Sequence, residues 1–223
     1  MKPFFNLRIW LIFMAVVALY AGARAQQKVQ PAAHRFDQYL HKMKGKKIAL
    51  FANQTSVVGN SHLVDTLLKK GAHIAVIFGP EHGFRGKAEA GADASSDTTS
   101  TVGIPVVTLY GKKRKPTLAD LHGADLLVFD IQDVGCRFYT YISSLQDYME
   151  AAIILNKPLM VLDRPNPNGR YIDGPVLEPR YKSFVGMQPV PVVYGMTIGE
   201  YAQMLLGEGW LSKEAMDAYT QNV

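Results

Sequence analysis

The sequence is poor in cysteine, and this lack limits how its fold can be stabilised. Cys136 is the only cysteine among 223 residues, so no disulfide can form within the chain. Arg137 follows it and could make the thiol reactive by lowering its pKa. A lone cysteine between a strand and a helix is more often a small buried apolar residue, and we favour that structural role.

The common cofactor and metal motifs are also missing. The turn after the apolar run at 74–78 is not a P-loop, and no Gly-x-Gly-x-x-Gly follows the first predicted strand. No Gly-x-Ser-x-Gly motif indicates an α/β-hydrolase. No pair of histidines has the spacing of metal ligands; the six are His34, His41, His62, His73, His82 and His122. We therefore expect neither a metal nor a cofactor.

The sequence has no basic patch of the kind that binds nucleic acid. It contains 24 Lys and Arg against 19 Asp and Glu. Residues 1–25 hold three of the basic residues and no acid, which leaves 21 basic against 19 acidic residues, about +2, in the rest of the chain. The excess of positive charge therefore belongs mostly to the N-terminus, and no nucleic-acid partner is expected.

The first 25 residues have the pattern of a secretory leader. Lys2 and Arg8 flank an apolar run at 9–21, and Ala23-Arg-Ala25 supplies the small-x-small pattern of a signal peptidase site. The run is too short for a stable membrane span. We therefore predict a signal peptide at 1–25, a mature chain that begins at Gln26, and a periplasmic or secreted protein with no stable membrane span.

Apolar runs alternate with helical patterns through the rest of the chain. Buried strands are predicted at 47–52, 74–78, 105–110, 125–131 and 158–163, and helices at 34–43, 61–70, 138–156 and 197–207. Alternation of this kind, with strands rich in β-branched residues, predicts an α/β fold with a Rossmann-like, mainly parallel sheet and helices on both faces.

The same pattern predicts how the chain is divided into domains. We expect a signal peptide at 1–25, a lead-in with a short helix at 26–44, a Rossmann-like catalytic domain at 45–210, and the start of a truncated C-terminal region at 211–223. Segments 88–101 and 164–191 are predicted as long irregular loops. Because residues 219–223 carry neither a closing strand nor a helix-ending glycine, we expect a second, C-terminal domain to be missing or truncated.

An acid and an imidazole follow the predicted strand at 74–78. Gly79 and Pro80 end that strand and lead to Glu81 and His82 in a glycine-rich turn. In open α/β sheets, ligands bind beyond the carboxyl ends of the strands. Glu81 and His82 are therefore candidate catalytic residues, although Glu81 could instead cap the next helix while His82 packs in the core.

Other carboxylates also follow predicted strands, at Asp130, Asp133 and Asp163. Two carboxyl groups brought together at facing strand ends would suit acid–base hydrolysis of a glycosidic bond, in which one donates a proton and the other acts from its ionised form. Each Asp could equally cap the helix after its strand.

Five motifs, taken in order, resemble a known enzyme family. They are Glu81-His-Gly-Phe-Arg-Gly86, Phe129-Asp-Ile-Gln-Asp-Val-Gly-Cys-Arg-Phe-Tyr-Thr-Tyr141, Asp163-Arg-Pro-Asn-Pro-Asn-Gly169, Asp173-Gly-Pro-Val-Leu-Glu178 and Tyr194-Gly-Met-Thr-Ile-Gly-Glu200. Together they resemble the bacterial exo-acting β-N-acetylmuramidases, a family long described only as a domain of unknown function. The resemblance spans about residues 45–207.

This resemblance implies a function and a set of roles. It implies a Rossmann-like domain that carries the active-site cleft, a smaller C-terminal domain, and release of N-acetylmuramic acid from the non-reducing ends of peptidoglycan-derived saccharides. Glu81 matches the family's proposed catalytic glutamate, and we assign it as general acid with His82 as its orienting partner or a sugar ligand. Asp130 and Asp133 remain alternatives for the second carboxylate, and the substrate's N-acetyl group could take its place.

Substrate-binding roles are predicted for polar and aromatic residues near the strand ends. Tyr139 and Tyr141 suit stacking against a sugar, and a cation is expected for the lactyl carboxylate of N-acetylmuramic acid. Arg137, at the start of a helix, is our first choice for that cation, unless it pairs with Asp133. The remaining candidates are Asn53, Arg85, Asp163 and Arg164. The alternative function is a non-catalytic periplasmic protein that binds cell-wall sugars in the same crevice.

The predicted signal peptide leads to a testable prediction about where the mature chain begins. We expect the exported protein to begin at Gln26, because Ala23-Arg-Ala25 is the cleavage pattern nearest the end of the apolar run. N-terminal sequencing or intact mass of the purified natural protein measures this directly. Recovery of an uncleaved protein from the cytoplasm would contradict the prediction.

Overall fold

The computed structural model describes residues 29–86 and 103–222, together with residues 10, 11, 13 and 14. Most of the predicted signal peptide and the predicted loop at 88–101 lie outside these residues. Within them, no helix combines the length and the apolar character that a membrane span needs.

Within residues 29–86 and 103–222, the structure has seven strands and five α-helices. The strands are β1 Lys47–Ala52, β2 Val57–Val58, β3 Ser61–His62, β4 His73–Gly79, β5 Val106–Thr108, β6 Leu126–Asp130 and β7 Leu159–Val161. The helices are α1 Phe36–Met43, α2 Leu63–Lys69, α3 Tyr141–Ile154, α4 Ile198–Gly207 and α5 Lys213–Asn222, with short 3₁₀ turns at Ala32–His34, Ala119–Leu121 and Pro179–Tyr181.

Five strands form one parallel sheet in the order β5-β4-β1-β6-β7. Numbered by their position along the chain, these strands run 3-2-1-4-5, which is the Rossmann order. The predicted α/β class and parallel sheet are therefore confirmed. The direction of winding reverses between β1 and β6, and in sheets of this kind ligands bind outside the carboxyl ends of the strands at such a switch point. β2 and β3 form a separate antiparallel hairpin.

Both faces of the sheet are covered, which explains the continuous apolar character of its strands. Ala49 and Phe51 of β1 belong to the core that α3, α4 and α5 cover. Ile48 and Leu50 point to the opposite core, which α1 and α2 cover. Because side chains alternate across a strand, one six-residue run fills two cores.

Aromatic rings hold α3 against the middle of the sheet. Phe51 and Phe129, on neighbouring strands, stack with ring centroids 5.0 Å apart, and the Tyr148 ring lies 5.1 Å from Phe51. The buried Tyr148 hydroxyl donates a hydrogen bond of 2.9 Å to the carbonyl of Ala49. This contact fixes the position of α3 relative to β1, and therefore of the residues at its N-terminus.

The packing unit continues past residue 210, where the sequence predicted a boundary. Leu211 and Ala215 lie in the same core as α3 and α4. Glu150 of α3 accepts a hydrogen bond of 2.8 Å from the backbone of Ser212, just before α5, and pairs with Lys115. Helix α5 was missed by the sequence analysis because few of its positions are apolar.

Glu150 provides a test of how this last helix is held. Glu150→Ala removes the acceptor for Ser212 and leaves the Lys115 ammonium without this partner, so we expect a loss of about 1.5–3 kcal/mol in the free energy of unfolding, as for hydrogen bonds to charged groups. Urea denaturation measures it. Glu214→Ala, on the exposed face of α5, is the control, and equal stability of the two variants would contradict the role of Glu150.

Candidate active site

Asn53 directly follows β1 at the switch point and is fully buried. Its Oδ1 accepts hydrogen bonds from the backbone N–H and the hydroxyl of Thr55, at 2.9 and 2.6 Å. The same Thr55 hydroxyl accepts from the backbone N–H of Gln132, after β6, at 3.0 Å. The ends of β1 and β6 are thus joined, and the two donors on Oδ1 fix the direction in which the Asn53 NH₂ group points.

His62 holds this strand end against α2. Its Nε2 lies 2.9 Å from the carbonyl oxygen of Asn53, and its Nδ1 accepts from the backbone N–H of Val64 at 3.2 Å, which caps the helix. This pair of contacts fits a neutral ring with its proton on Nε2. Burial is the main cause that lowers the pKa of His62, although the Asn53 carbonyl opposes it. The sequence analysis assigned His62 no role.

Glu81 lies on a tight turn that begins where β4 ends. A Cβ on Gly79 would stand 2.6 Å from the backbone nitrogen of Phe84, so only glycine lets the chain fold back so closely. His82 and Gly83 both have positive φ, 69° and 74°, which is uncommon for a residue other than glycine. Strained backbone of this kind is concentrated at functional sites. The turn therefore has a fixed and unusual shape around Glu81.

Two hydroxyl groups contact the Glu81 carboxylate. Thr140, directly before α3, donates to Glu81 Oε2 at 3.0 Å. Hydrogen bonding to Glu81 is the main cause that raises the pKa of Tyr110, which follows β5. Glu81 is therefore held between the N-terminus of α3 and the end of a neighbouring strand, and it remains half-buried.

Tyr141 lies between the candidate catalytic groups. Burial raises the pKa of its hydroxyl, the nearby amide groups of Gln54 and Asn53 lower it, and the negative charges of Glu81 and Asp133 raise it. The hydroxyl is therefore close to residues that follow three strands, β1, β4 and β6. Tyr141 is placed in the site by the first turn of α3, which Tyr148 holds to the sheet.

Asp133 is a buried carboxyl group with one oxygen unoccupied. Its Oδ2 accepts from the backbone N–H of Gly135 at 2.6 Å and from the hydroxyl of Tyr194. Its Oδ1 is buried and has no hydrogen-bond partner among the residues that the structure describes. Burial raises the pKa of Asp133, and the hydrogen bonds from Tyr194 and from the backbone of Gly135 and Val134 oppose this.

Asp130 is engaged in an ion pair and does not offer a free oxygen. Arg164 Nε and Nη2 donate to its two carboxylate oxygens at 2.7 and 2.9 Å, and the two side chains are 0% and 5% exposed. Burial raises the pKa of Asp130, and the Arg164 guanidinium lowers it. The contacts give both residues a structural role, and the catalytic role of Asp130 and the substrate-binding role of Arg164 stay predictions.

Asp163 and Arg137 also have structural partners. Asp163 accepts from the hydroxyl of Thr197 and the backbone N–H of Gly199, both at 2.8 Å, and so caps α4. The Arg137 guanidinium donates to the backbone carbonyl groups of Pro175, at 2.9 Å, and Val190. Arg137 therefore braces the long loop after β7, instead of pairing with Asp133.

Two predicted substrate contacts lie on the surface near Glu81. Tyr139 is 46% exposed and packs beside Phe138, with ring centroids 5.5 Å apart. Arg85 is exposed on the same turn as Glu81, and its guanidinium carbon lies 5.3 Å from the centre of the Phe84 ring. Three arginines are among the predicted substrate-binding residues: Arg85, Arg137 and Arg164. Of these, Arg85 is the one that the structure places in an exposed position.

A separate cleft of about 680 Å³ opens beyond β7 and includes Asp163, Arg164, Arg170 and Glu200 in its lining. Two of its charged groups have structural partners, because Asp163 caps α4 and Arg164 pairs with Asp130. Within the described residues, no group of three or more His, Cys, Asp or Glu side chains is arranged to hold a metal ion. The candidate acid–base groups are therefore Glu81 and Asp133, which lie outside the lining of this cleft.

Three residues that contact these carboxyl groups were not predicted from the sequence: Tyr110, Thr140 and Tyr194. Gln54, which lies close to the Tyr141 hydroxyl, was not predicted either. Thr140 and Tyr194 stand inside or at the edge of the recognised motifs, and their hydroxyls are the signal that could have identified them. Tyr110 ends a predicted strand, where polar side chains often face a ligand. Their pairing with particular carboxyls depends on the strand order.

The fold and the cleft define a Rossmann-type α/β domain with separate acidic groups at its switch point, an arrangement suited to acid–base hydrolysis. Comparison with known proteins identifies the family. Residues 48–221 match the sequence profile described as exo-beta-N-acetylmuramidase NamZ, N-terminal, and the chain belongs to this family.

Named relatives and solved structures agree with this assignment. The chain is 50% identical over 171 residues to peptidoglycan beta-N-acetylmuramidase NamZ of Bacillus subtilis strain 168, which covers 74% of this chain and 41% of the relative. Crystal structures of two DUF1343 family proteins from Bacteroides fragilis are similar, at 44% and 42% identity and TM-scores of 0.72 and 0.74. Each match covers 82% of this chain, and 48% and 47% of the respective structures. The chain thus spans less than half the length of these relatives.

The half-buried, neutral ring of His62 predicts a pH dependence of stability. Because its pKa is lowered from 6.5 on folding, its contribution is fully present above about pH 6.5 and is lost as the pH falls through the lowered pKa. His62→Asn keeps a capping acceptor but cannot titrate. We expect the stability difference between wild type and variant to shrink from about pH 8 to about pH 5, measured by urea unfolding. A constant difference would contradict the prediction.

Proposed function

We propose that the natural protein carrying this domain is an exolytic glycoside hydrolase that releases N-acetylmuramic acid from the non-reducing ends of peptidoglycan fragments. The observation that carries the proposal is the position of Glu81, held by Thr140 on a strained turn beside the switch point. The name of the Bacillus subtilis relative, a peptidoglycan beta-N-acetylmuramidase, supports the substrate class.

In this proposal Glu81 is the general acid. Its proton passes to the glycosidic oxygen as the bond to C1 breaks, so the leaving sugar departs as a neutral alcohol. The Thr140 hydroxyl directs the carboxyl group, and the N-terminal dipole of α3 stabilises the carboxylate that remains. His82 is placed beside it by the strained turn.

Asp133 is the better candidate for the second carboxyl group. Both oxygens of Asp130 accept hydrogen bonds from Arg164, whereas Asp133 keeps one buried oxygen without a partner in the described part of the chain. For the lactyl carboxylate of the substrate, Arg85 replaces Arg137 as the proposed cation, because Arg137 braces the long loop. The predicted signal peptide at 1–25 would direct the protein to a periplasmic or secreted location, where peptidoglycan is accessible.

Glu81→Gln tests the assignment in the natural full-length protein. The amide keeps the shape of the side chain but has no proton to transfer, so we expect kcat to fall about 10²–10⁴-fold on an N-acetylmuramide with a poor leaving group. The loss should be smaller for an aryl glycoside whose phenolate leaves without protonation.

Glu214→Gln, on the exposed surface of α5, is the matched control and should keep wild-type activity. Retention of more than half of wild-type kcat by Glu81→Gln on the poor leaving group would remove Glu81 from the mechanism. Binding of N-acetylmuramides by the wild type without any turnover would favour the alternative, a sugar-binding protein.

A further inference from the structure

Two buried polar atoms at the switch point lack partners among the described residues. They are Nδ2 of Asn53, a hydrogen-bond donor, and Oδ1 of Asp133, an acceptor. Their residues are 0% and 4% exposed. Leaving a buried polar atom unpaired costs about 1–3 kcal/mol, so a pair of them near the candidate catalytic residues calls for a ligand with matching groups.

Both atoms have fixed directions. Thr55 occupies Oδ1 of Asn53 with two donors, so its NH₂ group must point away from them. Gly135 and Tyr194 occupy Oδ2 of Asp133, so its other oxygen is the one presented. Both side chains influence the same Tyr141 hydroxyl, which Glu81 also influences. Asn53, Asp133 and Glu81 are therefore all close to this one hydroxyl.

We infer that Asn53 and Asp133 form the subsite for the 2-acetamido group of the substrate, with Asp133 Oδ1 accepting its N–H and Asn53 Nδ2 donating to its carbonyl oxygen. This inference rests on the proposed function. A secondary amide has one N–H donor and one carbonyl acceptor, which is the complement of the two unpaired groups. The lactyl carboxylate does not fit here, because the Asp133 carboxyl group would repel it.

An acetamide held in this way can act as the internal nucleophile. Its carbonyl oxygen forms a bond to C1 while the bond from C1 to the leaving oxygen breaks and that oxygen takes the proton of Glu81. The positive charge that develops on the amide is stabilised by Asp133 through the N–H. Water then attacks C1, Glu81 takes its proton, and the bond between C1 and the acetyl oxygen breaks to restore the amide. No protein nucleophile is needed, and the anomeric configuration is retained.

The test compares two aryl β-glycosides in the natural full-length protein: the N-acetylmuramide and an analogue with a hydroxyl group in place of the acetamide. We expect Asp133→Asn to lower kcat about 10²–10³-fold on the N-acetylmuramide, because an amide NH₂ group now faces the substrate N–H. Activity on the hydroxyl analogue should be low in the wild type, and the ratio of kcat on the N-acetylmuramide to kcat on this analogue should fall in the variant. Asn53→Asp, which replaces the donor by an acceptor, should also lose the preference for the acetamide.

Asp217→Asn, which removes an exposed carboxylate from α5, is the charge-matched control. Its kcat on each of the two substrates should equal that of the wild type. A second measurement needs no variant: a trifluoroacetamide analogue has a weaker oxygen nucleophile, so the wild type should hydrolyse it more slowly than the acetamide.

The outcomes separate the two proposals. Failure of the wild type to hydrolyse any N-acetylmuramide overturns the proposed function and this inference with it. Hydrolysis with an equal loss on both substrates in Asp133→Asn, or with no effect of fluorination, overturns only the inference. In that case Asp133 supports the fold or holds a water molecule.

Discussion

The buried ion pair between Asp130 and Arg164 is the contact on which the site depends. It joins the end of β6 to the segment after β7, and Arg164 also donates to the carbonyl of Val57 in the hairpin after β1. Breaking such a pair by removing one partner costs about 3–5 kcal/mol, because the other charge stays buried. By neutralising Asp130, the pair leaves Asp133 and Glu81 as the acidic groups available at the switch point.

The remaining geometry follows from the attachment of α3 to the sheet. The buried Tyr148 hydroxyl fixes the helix to β1, and this places Thr140 and Tyr141 over the strand ends. The Thr140 hydroxyl then donates a hydrogen bond to Glu81. The Tyr141 hydroxyl lies close enough to Glu81, Asp133 and Asn53 for all three to affect its pKa. A helix that is buried along most of its length can position its first turn more accurately than a loop can.

The sequence was sufficient to predict the elements and the end of the sheet where chemistry would lie. Continuous apolar runs identified the strands of the parallel sheet, and the capping box at Thr197 and Glu200 marked the start of α4, as the structure confirms. The pairing of groups was not predictable, because Thr140 and Glu81 are 59 residues apart and meet only through the strand order. For the same reason, Asp130 and Asp133 were indistinguishable as sequence, although one meets Arg164 and the other Tyr194.

A crystal structure of the natural full-length protein with N-acetylmuramic acid bound tests the central claim most directly. The account predicts that C1 of the sugar lies beside the Glu81 carboxyl group and that the acetamide contacts Asp133 and Asn53. A sugar seated instead in the cleft beyond β7, against Arg170 and Glu200, would contradict the assignment of the active site to the switch point.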